Sequence, residues 1–105
     1  MAISIIKSKD IEMLRNSGLA VAKTLYYLEQ NIKAGMSLLE VDQMGEEYLN
    51  SLGYRAAFKG LYGFPNAICT SLNNVIIHGV PDDTILKDGD ILGIDIGSEK
   101  DGWYG

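Results

Sequence analysis

The spacing of apolar residues changes at Gly53, and this change constrains the fold more than any other feature of the sequence. Before Gly53, apolar residues recur three and four positions apart, which is the spacing of one helical face. After it, short segments rich in β-branched and aromatic residues alternate with Gly, Pro, Asn and Asp, as in strands joined by turns. The sequence therefore predicts an α+β fold, with two helices packed on one face of a largely antiparallel sheet.

The first helix is predicted at about residues 9 to 33, with Ser8 as its N-cap and Gly35 at its end. Its predicted buried face consists of Ile11, Leu14, Gly18, Val21, Leu25, Leu28 and Ile32. Ser37 and Glu40 have the spacing of a capping box, which predicts the start of a second helix that ends at Gly53. The buried face of that helix is predicted to contain Val41, Met44, Tyr48, Leu49 and Leu52.

Strands are predicted near residues 54 to 58, 67 to 72, 75 to 78, 91 to 97, and from 103 onward. With 105 residues, 47% of them hydrophobic and 22% charged, the chain has the composition of a globular protein. It contains no internal repeat, linker or low-complexity segment, so residues 1–105 are assigned to one domain.

The net charge of −5 provides no basic face, so we expect no direct binding to nucleic acid or to an anionic membrane. The single cysteine, Cys69, cannot form an internal disulfide, which favours a reducing compartment such as the cytoplasm. No apolar stretch approaches the roughly 18 residues of a spanning helix, and the first residues do not form a secretory signal.

One acidic residue, Asp95, stands in the middle of the apolar strand Ile91–Gly97. Alternation places Leu92, Ile94 and Ile96 on one face and Asp95 on the other, between Gly93 and Gly97. A carboxylate buried in such a strand needs a hydrogen bond, an ion pair or a cation, and the two glycines leave room for a ligand. The pattern fits either a ligand-binding carboxylate or a structural one bonded to a turn amide or a lysine.

The hairpin after this strand has a defined register, because Asp101-Gly102 is a favoured two-residue type I′ turn. Lys100 should then face Trp103, Glu99 should face Tyr104, and Ser98 should face Gly105. A residue directly after Gly105 would share a face with Asp95, so an acid there would form a carboxylate pair with it.

Three other features carry candidate site residues. His78, the only histidine, ends a predicted strand before a Gly-Val-Pro turn, where an imidazole could exchange protons, although a surface role is the simpler reading. Cys69 has no basic neighbour in sequence and is interpreted as a small apolar wall residue. The loop of residues 58–65 mixes aromatic residues with glycines and fits half-exposed packing or an apolar side-chain pocket.

Taken together, these residues resemble the N-terminal part of a type I methionine aminopeptidase of the bacterial kind, within the pita-bread metalloprotease superfamily. The resemblance extends over the whole chain. It is carried by the segment from Ile5 to Arg15, Gly63-Phe64-Pro65, residues 69–75, His78-Gly79-Val80-Pro81, and residues 86–91 leading to Ile94-Asp95. It implies the N-terminal half of a pita-bread fold.

The resemblance also implies roles for individual residues. Asp95 matches the first ligand of a pair of divalent cations of the Co, Mn, Fe or Zn type, and His78 matches a catalytic histidine that contacts the substrate near the scissile amide. The other substrate-binding residues, which fall at or near positions that line the pocket for the methionine side chain, are Phe58, Leu61, Phe64 and Cys69. Asn73 and Val75 match residues that hold a monovalent cation through backbone oxygens.

In the family, the second aspartate ligand follows the hairpin, and the histidine and glutamate ligands lie in a later half of the protein. We therefore expect negligible peptidase activity from this chain alone and removal of initiator methionine by its intact parent. The implied partners are nascent polypeptide N-termini, with the ribosome as a candidate location. We expect the intact parent to be a monomer and this fragment to self-associate. Two alternatives are a noncatalytic truncated interaction module and a proline-specific pita-bread peptidase.

Overall fold

The computed structural model describes residues 8–60, 64–73 and 79–105. These residues form two helices, α1 (Ser8–Asn31) and α2 (Leu38–Ser51), and five short strands. The strands are β1 (Arg55–Ala56), β2 (Ile68–Leu72), β3 (Leu92–Ile96), β4 (Ser98–Lys100) and β5 (Trp103–Tyr104). The α+β class is confirmed, and the strand predicted at 75–78 lies outside the described residues.

The described strands form two antiparallel ladders rather than the single sheet that the sequence predicts. β2 pairs with β3, whereas β4 lies between β1 and β5. The division falls at Gly97, where the carbonyl accepts a hydrogen bond of 3.0 Å from the Ala57 amide. The segment 92–100 therefore leaves β2 and joins β1 at a residue whose lack of a side chain permits the bend.

The hairpin of β4 and β5 has the predicted turn and register. Both turn residues have positive φ angles, 53° at Asp101 and 84° at Gly102, as a type I′ turn requires. Lys100 pairs with Trp103 and Glu99 with Tyr104. The backbones of Ser98 and Gly105 exchange two hydrogen bonds, of 3.2 and 3.0 Å, so the predicted register continues to Gly105.

The start of α2 is fixed by the predicted capping box. The Ser37 hydroxyl accepts a hydrogen bond of 3.1 Å from the Glu40 amide, and the Glu40 carboxylate accepts one of 3.3 Å from the Ser37 amide. The next two helix amides, of Leu38 and Leu39, donate to the carbonyls of Thr84 and Asp82. The segment 82–84 thus satisfies donors that a helix N-terminus leaves without intrahelical partners.

The predicted buried face of α1 is wrong in part. Ile11 and Leu25 are exposed, and the buried positions beside Leu28 are Ser17, Ala20 and Thr24. The reason is the close approach of the β4–β5 hairpin: a side chain at Gly105 would collide with the backbone of α1 at Ser17 and Gly18. Only small side chains fit between backbones at this distance, so the apolar periodicity of α1 does not identify its buried face.

Two hydrogen bonds replace apolar packing at this contact. The Ser17 hydroxyl donates to the Trp103 carbonyl at 3.0 Å, and the Ser98 hydroxyl donates to the Ser17 carbonyl at 2.7 Å. Both serines are fully buried, so each bond also satisfies a polar group that would be costly to leave without a partner. The hairpin is therefore fixed to α1 by specific bonds.

The hydrophobic core lies between the two helices and β2. Its largest fully buried apolar side chains are Leu28, Val41, Leu49 and Ile68. The rings of Tyr27 and Tyr48 stack at 4.2 Å between centroids and add an aromatic contact between α1 and α2. In the part of the chain that the structure describes, no helix is long and apolar enough to cross a membrane.

Gly79 lies against the edge of β2 that faces away from β3. Its carbonyl accepts a hydrogen bond of 2.8 Å from the Thr70 amide, and any β-carbon at Gly79 would collide with the Thr70 carbonyl oxygen. A side chain at position 79 would therefore break this edge contact.

We expect Gly79→Ala to lower the free energy of unfolding by about 1–3 kcal/mol, the usual cost of forcing extra atoms into a packed site. The matched control is Gly18→Ala, because no atom lies within 4 Å of a β-carbon there and alanine favours the helix by up to about 1 kcal/mol. Urea unfolding followed by circular dichroism measures both. Equal stabilities for the two variants would contradict the close contact at Gly79.

Candidate functional site

Asp95 lies at the centre of the candidate site, on the face of β3 opposite Ile94 and Ile96. The predicted alternation is confirmed, since Leu92, Ile94 and Ile96 lie toward the core. The expectation of a buried carboxylate is wrong, because Asp95 is exposed to solvent. Solvation therefore removes the need for a structural partner, and the carboxylate is available to a ligand.

Cys69 is the residue of β2 directly opposite Asp95. The two are paired in the antiparallel register, so their side chains share one face of the ladder. Cys69 is only 3% exposed. Burial raises the pKa of the Cys69 thiol, and the negative charge of Asp95 raises that pKa further. The thiol therefore stays protonated near neutral pH, which fits the predicted wall residue and not a nucleophile.

Two aromatic rings lie beside the same face. A β-carbon at Gly97, two residues after Asp95, would lie 3.3 Å from Cε1 of Phe58. The ring of Phe58 in turn contacts that of Phe64 edge-on, with centroids 6.5 Å apart and an angle of 82°. The structure thus brings Phe58, Phe64 and Cys69 to the face that carries Asp95. We call these three residues the apolar wall.

Asn73 lies beyond the other end of β2, in a turn with a positive φ of 51°. Its amide donates to the Ile91 carbonyl at 2.8 Å, but the Ile91 amide donates at 2.9 Å to the Asn73 side-chain oxygen. In a regular ladder that amide would donate to the backbone carbonyl of Asn73. The side chain therefore replaces the backbone carbonyl of Asn73 as the acceptor of this hydrogen bond.

The carboxylate of Asp90 holds this turn in place. It accepts hydrogen bonds from the Lys87 amide at 2.9 Å and from the Asn73 side-chain amide at 3.1 Å. Both bonds favour the charged form of Asp90 and therefore lower its pKa. The bond from the Lys87 amide has the larger effect. Asp90 thus joins Asn73 to Lys87 through hydrogen bonds that its charged form accepts at neutral pH.

Three of the predicted site residues lie outside the described residues. They are Leu61, Val75 and His78. The predicted roles of these residues therefore stay predictions. The described residue next to His78 is Gly79, which is bonded to Thr70 at the edge of β2.

Asp42 is a structurally important residue that the sequence analysis missed. It is 8% exposed and accepts hydrogen bonds from Asn66, Ala67 and Ile68. The signal was present in the helical spacing, because Asp42 lies four residues after Leu38 and three before Gly45, both of which are buried. An acid within the buried stripe of a helix requires specific partners.

The described residues can supply part of a metal site. Between 8 and 60, 64 and 73, and 79 and 105, no group of three or more His, Cys, Asp or Glu side chains is close enough to hold a metal ion. Asp95 fits the role of a single ligand: its carboxylate is exposed and is flanked on its own face by glycines. Oxygen ligands of this kind suit divalent cations, but one carboxylate does not complete a site.

Comparison with known proteins agrees with this arrangement. Residues 12–105 match metallopeptidase family M24. The methionine aminopeptidase of Helicobacter pylori is 53% identical over 105 residues, which cover all of this chain and 42% of that protein. The crystal structure of methionine aminopeptidase from Rickettsia prowazekii superposes with a TM-score of 0.94 at 36% identity, over 99% of this chain and 42% of that one.

A third similarity concerns the fold alone. The X-Pro aminopeptidase from Thermotoga maritima superposes with a TM-score of 0.75 at 21% identity, over 90% of this chain and 25% of that one. The chain therefore spans about two fifths of the methionine aminopeptidases named above. Its architecture is that of the N-terminal portion of the pita-bread fold, as predicted, and the chain belongs to metallopeptidase family M24.

Proposed function

We propose that this chain is the N-terminal part of one aminopeptidase domain whose intact form removes the initiator methionine from nascent proteins in the cytoplasm. The observation that supports this most is the placement of Asp95 beside the apolar wall. A carboxylate open to solvent lies on the same face as a buried thiol and two phenylalanine rings. A peptide with an unbranched apolar first side chain needs such a surface next to the group that reacts.

In this proposal Asp95 is a ligand of a pair of divalent cations. Such a pair, when bound, polarises the peptide carbonyl and activates water for its hydrolysis. Among the described residues Asp95 is not part of a group of three or more candidate metal ligands, which is consistent with further ligands from elsewhere in the intact protein. His78, outside the described residues, is proposed to contact the substrate near the scissile amide.

The apolar wall, together with Leu61, is proposed to bind the methionine side chain. Phe58 and Phe64 offer aromatic edges and faces, which make favourable contacts with a thioether sulfur. Cys69 adds a small, buried, uncharged surface beside Asp95. The wall can therefore hold the side chain while the carboxylate face engages the polar end of the substrate.

Asn73 and Val75 are proposed to hold a monovalent cation through their backbone oxygens. For Asn73 the support is local. Its side chain takes the hydrogen bond that the Ile91 amide would otherwise donate to its carbonyl. A backbone carbonyl oxygen that does not accept the hydrogen bond of the Ile91 amide can instead bind a singly charged cation.

The proposal predicts that activity requires the rest of the protein. The 105-residue chain should not release methionine from a Met-Ala peptide in the presence of a divalent metal. A chimera that joins the chain to the remaining part of the Helicobacter pylori relative should release it. In the chimera, Asp95→Asn should lower kcat/KM by about 100-fold or more, because an amide supplies no anionic ligand. Substitution of a residue that only orients a metal ligand already lowers metal affinity or activity by about 10–100-fold.

The matched control is Asp101→Asn. Asp101 is an exposed acid on the neighbouring hairpin, and asparagine accepts its positive φ equally well. This variant should keep the activity of the chimera. Robust turnover by the 105-residue chain would refute the proposal that it is incomplete. A chimera that folds, binds metal and remains inactive would favour the noncatalytic module.

The exposed apolar surface of the chain supports a second prediction, self-association. Ile91 is 75% exposed, Tyr26 65% and Tyr104 58%. Exposed apolar side chains mark a contact surface where they form a large contiguous patch. We expect light scattering to show a mass that rises with concentration, and Ile91→Ser to weaken this rise; a constant monomer mass up to millimolar concentration would contradict the prediction.

A further inference from the structure

A buried carboxylate outside the candidate site, that of Asp42, connects α2 to the start of β2. Its Oδ1 accepts hydrogen bonds from the amides of Ala67 at 2.9 Å and Ile68 at 3.0 Å. Its Oδ2 accepts one of 3.1 Å from the side-chain amide of Asn66. The salt bridges found among the described residues join Arg55 to Glu99 and Lys59 to Glu46, so Asp42 is held by these three hydrogen bonds.

The direction of the β2 amides explains why this carboxylate is needed. The Asn73 amide donates toward Ile91, on the side of β3, whereas the Thr70 amide donates to Gly79 on the opposite side. Amides of consecutive residues in a strand point to opposite edges, so those of every second residue, such as Ile68 and Thr70, point to the same edge. The Ile68 amide therefore points away from β3, and Asp42 provides the acceptor that a neighbouring strand would otherwise supply.

These bonds fix which residue of β2 faces Asp95. The observed register pairs Ile68 with Ile96 and Cys69 with Asp95. A shift of one residue would turn every side chain of β2 to the other face of the ladder. Ile68 or Thr70 would then lie opposite Asp95, and Cys69 would face the core.

The same carboxylate also holds the other side of the apolar wall. Asn66, which donates to Asp42, comes two residues after Phe64, and the Phe64 carbonyl accepts a hydrogen bond of 2.8 Å from the Gly60 amide. The Phe64 backbone is thus bonded to Gly60, and the chain is bonded to Asp42 two residues later, at Asn66. Cys69 follows directly after Ile68, which Asp42 also binds.

We propose that Asp42 is a positioning residue that sets the register of β2 and holds Phe64 and Cys69 in the apolar wall, and thereby determines selectivity for the first side chain of the substrate. The selectivity part rests on the proposed function. The register part does not, because it follows from the hydrogen bonds and strand pairing alone.

The first experiment uses the 105-residue chain and its single thiol. Cys69 is 3% exposed, so its rate of reaction with DTNB reports opening or rearrangement at the start of β2. Asp42→Ala should raise this rate about tenfold or more, because it leaves the Ala67 and Ile68 amides without acceptors. Asp42→Asn should change it little, since its Oδ1 can accept both amide bonds and Asn66 can rotate its amide to match.

A charge exchange separates the specific role of Asp42 from general loss of stability. Asn66→Asp should raise the rate by placing two carboxylates together, and Asp42→Asn combined with Asn66→Asp should restore it. The control is Thr24→Val, which removes an equally buried hydrogen bond within α1, from the Thr24 hydroxyl to the Ala20 carbonyl. At matched stability in urea this control should leave the rate near that of the original chain.

The second experiment measures selectivity in the chimera with the Helicobacter pylori relative. Asp42→Ala should raise KM for a Met-Ala peptide more than it lowers kcat, and should reduce the preference for methionine over alanine as first residue; Thr24→Val should not. An unchanged preference and an unchanged thiol rate in Asp42→Ala would overturn the inference. If the chimera without substitutions is inactive while the DTNB rates of the variants are as expected, the role of Asp42 in the register of β2 stands. In that case the proposed function and the selectivity that rests on it fail.

Discussion

The antiparallel pairing of β2 with β3 is the contact on which the rest of this structure depends. It places Ile68, Ile94 and Ile96 toward the helices, where they join the core, and it places Cys69 and Asp95 together on the opposite face. Because side chains alternate along a strand, core packing and site geometry are set by one register. A sequence that buries the isoleucines also brings the thiol beside the carboxylate.

The bonds that hold this register come from outside the ladder. Asp42 of α2 accepts a hydrogen bond from the Ile68 amide, which points away from β3. The Gly79 carbonyl accepts one from the Thr70 amide, which points in the same direction. At the other end, the Asn73 side chain occupies the position of a ladder acceptor. Helix α1 is connected separately, through the buried serines that bind the β4–β5 hairpin. The candidate site is therefore positioned by polar contacts that each satisfy a backbone group.

The sequence predicted the local features of this fold well. The capping box of Ser37 and Glu40 and the type I′ turn at Asp101-Gly102 depend on residues close in the chain, and both are present. The buried face of α1 was predicted wrongly, since Ile11 and Leu25 are exposed while Ser17 and Thr24 are buried. Hydrophobic periodicity identifies a face that packs against side chains, and here a backbone lies against the helix instead.

The features of the candidate site likewise separate into those that the sequence predicted and those that depend on tertiary packing. The sequence by itself determined that the side chain of Asp95 lies on the face of β3 opposite those of Ile94 and Ile96, because strand alternation is a property of the local backbone. Only the tertiary structure decided that Cys69 is its partner, that Phe58 and Phe64 lie beside it, and that Asp42 fixes the start of β2. These contacts join segments up to 39 residues apart, as Phe58 and Gly97 are, and their register depends on the packing of helices and strands as a whole.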